Sequence, residues 1–160
     1  MAAQSAQLGP RKEEQALIPS RNNKPADVFI PHWTGGRSTA LDVTVVHPLT
    51  PPRLASSAEN PGQTLETAFT NKCRVTQDAC LQEGIVFLPL PIETLGGMHK
   101  TTVQELKMIA RAQARAKGQE DEEAIRHLFQ RMSVLLMKGN SAILASREPE
   151  FDSPEVYGNT

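Results

Sequence analysis

The chain has 160 residues, 39% of them hydrophobic, 22% charged and only 4% aromatic, with a formal net charge of −1. Those values fit one folded domain. They lack the basic excess of a dedicated nucleic-acid binder, yet leave room for an enzyme that touches nucleic acid at one face. No apolar run approaches the ~18 residues a membrane helix needs, and Met1 to Leu8 has neither the basic nor the apolar region of a secretory signal. The chain is therefore expected to be intracellular, in the nucleus if DNA is its partner.

Residues 1 to 24 are polar and small, broken by Pro10 and Pro19, with at most a turn or two of helix over Ala2 to Leu8. Asp27-Val28-Phe29-Ile30, closed by Pro31, and Ala40 to Val46, closed by Pro48, are predicted strands, rich in β-branched and apolar residues. Thr34-Gly35-Gly36-Arg37 tolerates positive φ and joins them as an antiparallel hairpin with a longer loop. Pro48, Pro51 and Pro52 are expected to forbid regular structure. The capping-box spacing of Ser56 and Glu59, with Pro61 in the first turn, predicts a helix from near Asn60 to Glu83, with Gly84 as the residue after its end. On a wheel of ~100° per residue, Leu65, Phe69, Cys73, Thr76, Ala79 and Cys80 share one arc, and Lys72 falls inside it.

Ile85 to Leu90 is a third strand whose internal Pro89 argues for an edge position, and Glu93 to Gly97 is a loop. A second capping box at Thr102 and Glu105 opens an amphipathic helix through Leu106, Ile109 and Ala114 to Lys117-Gly118. Asp121 opens another, in which Ile125, Leu128, Phe129, Met132, Leu135 and Leu136 keep helical register and which Gly139 is expected to end or kink. Pro149 and Pro154 mark a disordered tail. Cys73 and Cys80, seven apart on one helix, lie roughly 10 Å from each other at ~1.5 Å rise per residue, too far for a disulfide, and without paired histidines they make no zinc site.

Asp42, flanked by Leu41 and Val43, is the most informative residue. A carboxylate in a β-branched run needs a partner or a metal to offset its desolvation. Were neighbouring antiparallel strands to bring Asp27 and Asp42 to one end of the hairpin, the two would offer oxygen ligands suited to Mg²⁺, which takes one or two carboxylates plus waters and phosphate oxygens. Such an ion polarises a phosphodiester and acidifies a bound water.

Lys24-Pro25-Ala26-Asp27-Val28 followed by Ala40-Leu41-Asp42-Val43-Thr44-Val45 resembles the PD-(D/E)XK nuclease core, in particular the restriction-endonuclease-like domain of site-specific non-LTR retrotransposons and related mobile elements. Lys72, Gly84 to Leu90, Glu93 to Gly97 and the helix with Leu106 and Ile109 follow in the family's order, so the resemblance covers residues 11 to 145, leaving 1–10 as a truncated first helix and 146–160 as tail. It implies an α/β fold, a restriction-endonuclease-like mixed sheet flanked by helices, with a C-terminal helical hairpin. It implies metal-dependent hydrolysis of DNA with Mg²⁺ or Mn²⁺, metal ligation by Asp27, Asp42 and the Val43 carbonyl, and a lysine beside them. The lysine expected two residues after the second acid is Thr44 here; some members carry it on the next helix, and Lys72 is the candidate for that role. The acid of the family's first helix is missing unless Glu13 or Glu14 replaces it.

These departures also fit a second expectation, a catalytically inactive remnant or interaction module that keeps the fold. A third is a small helical regulatory module over residues 100 to 140. Glu66 reads as a solvated helix residue, His32 and Trp33 as loop residues for packing or a groove contact, and Arg111, Arg115, Arg126, His127 and Arg131 as solvated faces or phosphate contacts. Gly97 to Thr102 lacks the glycines of a phosphate loop, and no serine sits in a nucleophile elbow.

Overall fold

The computed structural model describes Ala3, residues 8–12, residues 17–18 and residues 26–147. Glu13, Glu14, most of the first ten residues and the tail from 148 lie outside the described residues. The elements run β1 (Arg11–Lys12), β2 (Val28–Thr34), β3 (Arg37–Val46), α1 (Pro51–Glu59), α2 (Gln63–Gln82), β4 (Val86–Glu93), α3 (Lys100–Lys117) and α4 (Asp121–Ala145). The strands form one mixed sheet in the order β1-β2-β3-β4, the first two pairings antiparallel and β3-β4 parallel.

Alternation along β3 sorts the side chains to two faces. Ala40 packs with Phe87 and with Cys80 of α2, whereas Leu41 packs with Ile30, Leu90 and Ile109 of α3. Helix α2 therefore covers one face of the sheet and α3 the other. Leu106, Ala110 and Ala114 of α3 bury Ala124, Ile125 and Leu128 of α4, which forms an outer layer. The α/β class, the antiparallel pairing of β2 with β3, strand β4, helices α2, α3 and α4, and the buried arc of Leu65, Thr76 and Cys80 on α2 agree with the expectations above, whereas β1 and α1 lie outside them. No helix among the described residues is long and apolar enough to cross a membrane.

Strand β4 explains its own prolines. Alternate residues of an edge strand direct their backbone groups toward the neighbour or away from it, and Pro89 and Pro91, sharing the outward side, remove no ladder donor. The outward carbonyl of Pro91 accepts from Thr102 Oγ1 at 3.0 Å and from the His99 amide at 3.1 Å, fixing the start of α3 to the sheet edge.

Several boundaries differ from expectation. The hairpin turn is a tight pair, Gly35 and Gly36 at φ 60° and 76°, with Thr34 opposite Arg37, and β2 passes through Pro31 by a register irregularity in which His32 has φ 53°. Pro51 and Pro52 open α1, since the first turn of a helix needs no N–H from them. Ser56 does not cap a helix, because its hydroxyl donates back to the Arg53 carbonyl at 3.0 Å within α1. The break comes at Asn60 to Gly62, where Gly62 takes φ 88°. Helix α3 starts earlier than Thr102, capped by His99, because Thr102 and Glu105 both have tertiary partners. Gly139 neither ends nor kinks α4: Asn140 Nδ2 donates to the Thr94 carbonyl at 2.7 Å and holds the last turns against the sheet end. Strand β1 is too short for any periodic signal.

Ile30 is fully buried between the sheet and α3. Ile30→Ala is expected to lower stability by about 2–5 kcal/mol, read by urea denaturation; a loss under about 1 kcal/mol would show that this face is not the packed core.

Candidate functional site

The site grows from the point where β2 begins beside β3. The Asp27 amide donates to the Leu41 carbonyl at 3.0 Å, and the Asp27 carboxylate Oδ2 accepts from the Val43 amide at 2.8 Å. Asp27 thus grips β3 on both sides of Asp42. Asp42 projects from the α2 face of β3, where the Lys72 ammonium of α2 meets its Oδ2 at 2.7 Å. The side chain of Asp42 is only 12% exposed and that of Lys72 40% exposed, so the amine reaches from the rim to a carboxylate below it.

Burial pushes the Asp42 carboxyl above its ordinary value of 3.8, the Lys72 hydrogen bond and charge pull it down, and the nearby Asp27 carboxylate pushes it up again. Desolvation wins. The two acids sense each other, which places them in one electrostatic site.

Each carboxylate has one oxygen engaged, Asp27 by an amide and Asp42 by an amine, and a carboxylate carries a second oxygen with its own lone pairs. The Val43 carbonyl leaves the strand on the same side as its N–H, toward Asp27. Two carboxylates and a carbonyl form a hard oxygen set of the kind Mg²⁺ or Mn²⁺ accepts alongside waters. Among the described residues, no third carboxylate, histidine or cysteine completes a cluster with them. One pleat further along the same face of β3, the Thr44 hydroxyl is buried without a hydrogen-bond partner among the described residues, a polar atom able to meet a bound water. The donor set fits a weakly held, water-rich divalent ion.

Asp27, Asp42, Val43 and Lys72 therefore come together from β2, β3 and α2. The other titratable residues singled out in the sequence do not join them. Glu66 accepts from His99 Nε2 at 3.0 Å rather than being merely solvated, while His99 Nδ1 accepts the Thr101 amide at 3.2 Å and the His99 ring stacks on Phe69 at 4.3 Å. His99 is accordingly the neutral tautomer protonated at Nε2. Trp33 donates its indole N–H to the buried Glu105 at 2.9 Å, a packing role. Sequence pattern gave neither pair away: each joins residues 72 or 33 positions apart. Both cysteines are free thiols, and burial pushes that of Cys73 up, away from reactivity.

No known family, curated protein or solved structure matches the chain.

The partners of the 2.7 Å ion pair are unequal. Lys72→Met strands a desolvated carboxylate and is expected to lower stability by about 1–3 kcal/mol, whereas Asp42→Asn strands only a half-solvated amine and is expected to leave stability at pH 7 equal or higher. The sign follows from the raised pKa: the folded state holds the Asp42 proton more tightly than the unfolded chain, so its contribution favours folding below pH 3.8 and is lost as pH rises through the folded value. The advantage of Asp42→Asn over the parent should grow over that rise. Thermal melts at several pH values test this, and an Asn variant less stable at pH 7 than Lys72→Met would refute it.

Proposed function

We propose that the chain is a metal-dependent phosphodiesterase of the PD-(D/E)XK type, a DNA endonuclease domain derived from a mobile element. The observation that carries the reading is the convergence of Asp27, Asp42 and Lys72, with the amine 2.7 Å from a carboxylate whose burial disfavours its charge. Supporting it are the strand order, with an antiparallel hairpin and a parallel β4 reached through α2, and the sequence blocks that bear the family resemblance.

Asp27, Asp42 and the Val43 carbonyl would hold Mg²⁺ or Mn²⁺, which supplies charge neutralisation at the phosphoryl oxygens and an acidified water. Asp27 is oriented for this by the Val43 amide, which fixes its rotamer. Lys72, on the rigid α2, presents N–H donors and a positive charge where the phosphorane oxygens develop negative charge in the transition state. In hydrolysis the water oxygen bonds phosphorus as a P–O ester bond breaks, and Lys72 is the residue positioned to hold that water or the departing charge. The Thr44 hydroxyl stands in the place of the family's lysine; it makes no hydrogen bond among the described residues and would offer one, without charge, to a bound water.

One observation favours the second reading, an inactive remnant or interaction module. Lys72 and Asp42 already form a direct ion pair at 2.7 Å, so each charge has a partner with no ion.

Parent protein is expected to nick supercoiled plasmid with Mg²⁺ or Mn²⁺ and to lose this in EDTA. Asp27→Ala and Asp42→Asn should abolish nicking, and Lys72→Met should slow it on the order of 10²–10³-fold. Millimolar Mn²⁺ should give titration heat and raise the melting temperature of the parent but not of Asp27→Ala. Nicking unchanged in Asp42→Asn would overturn the assignment; no nicking and no heat in the parent would select the remnant.

A further inference from the structure

A groove of about 520 Å³ lies between the C-terminal half of α3 and the middle of α4, in the layer beyond the sheet face opposite Asp42 and Lys72. Two antiparallel helices with side chains at i and i+4 on one face build it. Gln113 and Lys117 form one row; His127 and Arg131, with Gln130 between, form the other, and the exposed Val134 and Leu135 add an apolar stretch.

Among the described residues no carboxylate lines the groove, although the whole chain carries a net charge of −1. Helix α4 has all its acids in its first turn, at Asp121, Glu122 and Glu123, which suits the positive end of its dipole, and none from Ala124 to Ala145. Of the nearby acids, Asp121 faces Arg111 at 3.8 Å, away from the groove, while Glu123 lies 3.9 Å from His127 of the groove wall and does not itself line it. Lys117 and Arg131 have no ion-pair partner among the described residues. Cations without acids, joined to carboxamides that donate N–H groups, make the donor set that phosphate oxygens accept.

We propose that this groove binds the phosphodiester backbone of a nucleic-acid strand, with Lys117 and Arg131 neutralising successive phosphates and Gln113 and Gln130 donating to their oxygens. The choice of a nucleic acid rests on the phosphodiesterase reading; the anion-accepting character of the groove does not. The groove serves as a second hold on the strand, outside the reacting site, and needs no metal.

The test is fluorescence anisotropy of a labelled 20-mer, duplex and single-stranded, in EDTA at ~50 to ~200 mM salt. Lys117→Glu/Arg131→Glu is expected to weaken binding at least about 10-fold and to flatten the salt dependence by about two phosphate contacts, a slope change of roughly 1.4–1.8. Lys100→Glu/Lys107→Glu, the same charge change elsewhere on α3, should shift affinity by less than about 3-fold. Circular dichroism of both variants confirms the fold. Equal loss in the two variants, no loss in either, or no binding by the parent overturns the proposal. So does competition by a free nucleoside monophosphate mole for mole with strand phosphate, or groove-dependent binding of phosphatidylserine vesicles with no binding of the oligonucleotide. Binding is read without metal and nicking with it, so a groove that binds in a protein that does not cut leaves this inference standing, and cutting by a protein whose groove variant binds normally removes it alone.

Discussion

A carboxylate drawn out of water has to be compensated where it stands, and Asp42 shows how the sheet is arranged to do so. Its position in a β-branched run commits it to a covered face. Lys72 reaches it at 2.7 Å, and yet burial still outweighs that amine in setting its proton affinity. The compensation is incomplete by design of the fold: Asp27, a second negative charge, is clamped beside it by the backbone of the residues on both sides. A fold selected for stability alone would gain from an uncharged residue at position 42.

Position follows from topology. Antiparallel β2 delivers Asp27 to the side of β3, the crossover through α2 delivers Lys72 above the same strand, and parallel β4 closes the far side with Pro89 and Pro91 turned outward. The edge is then blunted by α3, whose start is tied to the Pro91 carbonyl. Asp42 and Lys72 stand on a strand and a helix, and Asp27, just before β2, is fixed by its two hydrogen bonds to β3.

What could be read in the sequence was what periodicity and chemistry carry. Asp42 stood out as a charge in a β-run, Lys72 fell in an apolar arc, and the internal proline placed β4 at an edge. The capping boxes misled, because Ser56, Thr102 and Glu105 spend their polar atoms on other partners: a carbonyl one turn back, the Pro91 carbonyl and the Trp33 indole. A local motif cannot announce that a distant residue will outbid it. The clamp on Asp27 was equally invisible, since it depends on an N–H that is bare only because β2 has not yet begun opposite Val43. The groove between α3 and α4 was less legible: His127 and Arg131 stood out, but Lys117 read only as a helix end, and its place across from them emerges only when the two helices are laid side by side.

The two anion-facing regions differ in a way that charge alone decides. At the site of Asp27, Asp42 and Lys72, two acids stand against one amine, a balance that disfavours a phosphodiester wherever both acids are ionised. Under the proposed function a divalent ion would reverse that balance, so that its occupancy and the approach of a strand would be coupled through simple Coulomb interaction. The groove on α3 and α4 carries its positive charge permanently on Lys117 and Arg131. Under the same proposal, a strand would be held there first and presented to the acidic site as the ion arrives. Because charges separated by more than ~10 Å are largely screened at ordinary salt, a nearly neutral net charge says little about any one surface, and the character of the proposed groove rests on its own lining residues.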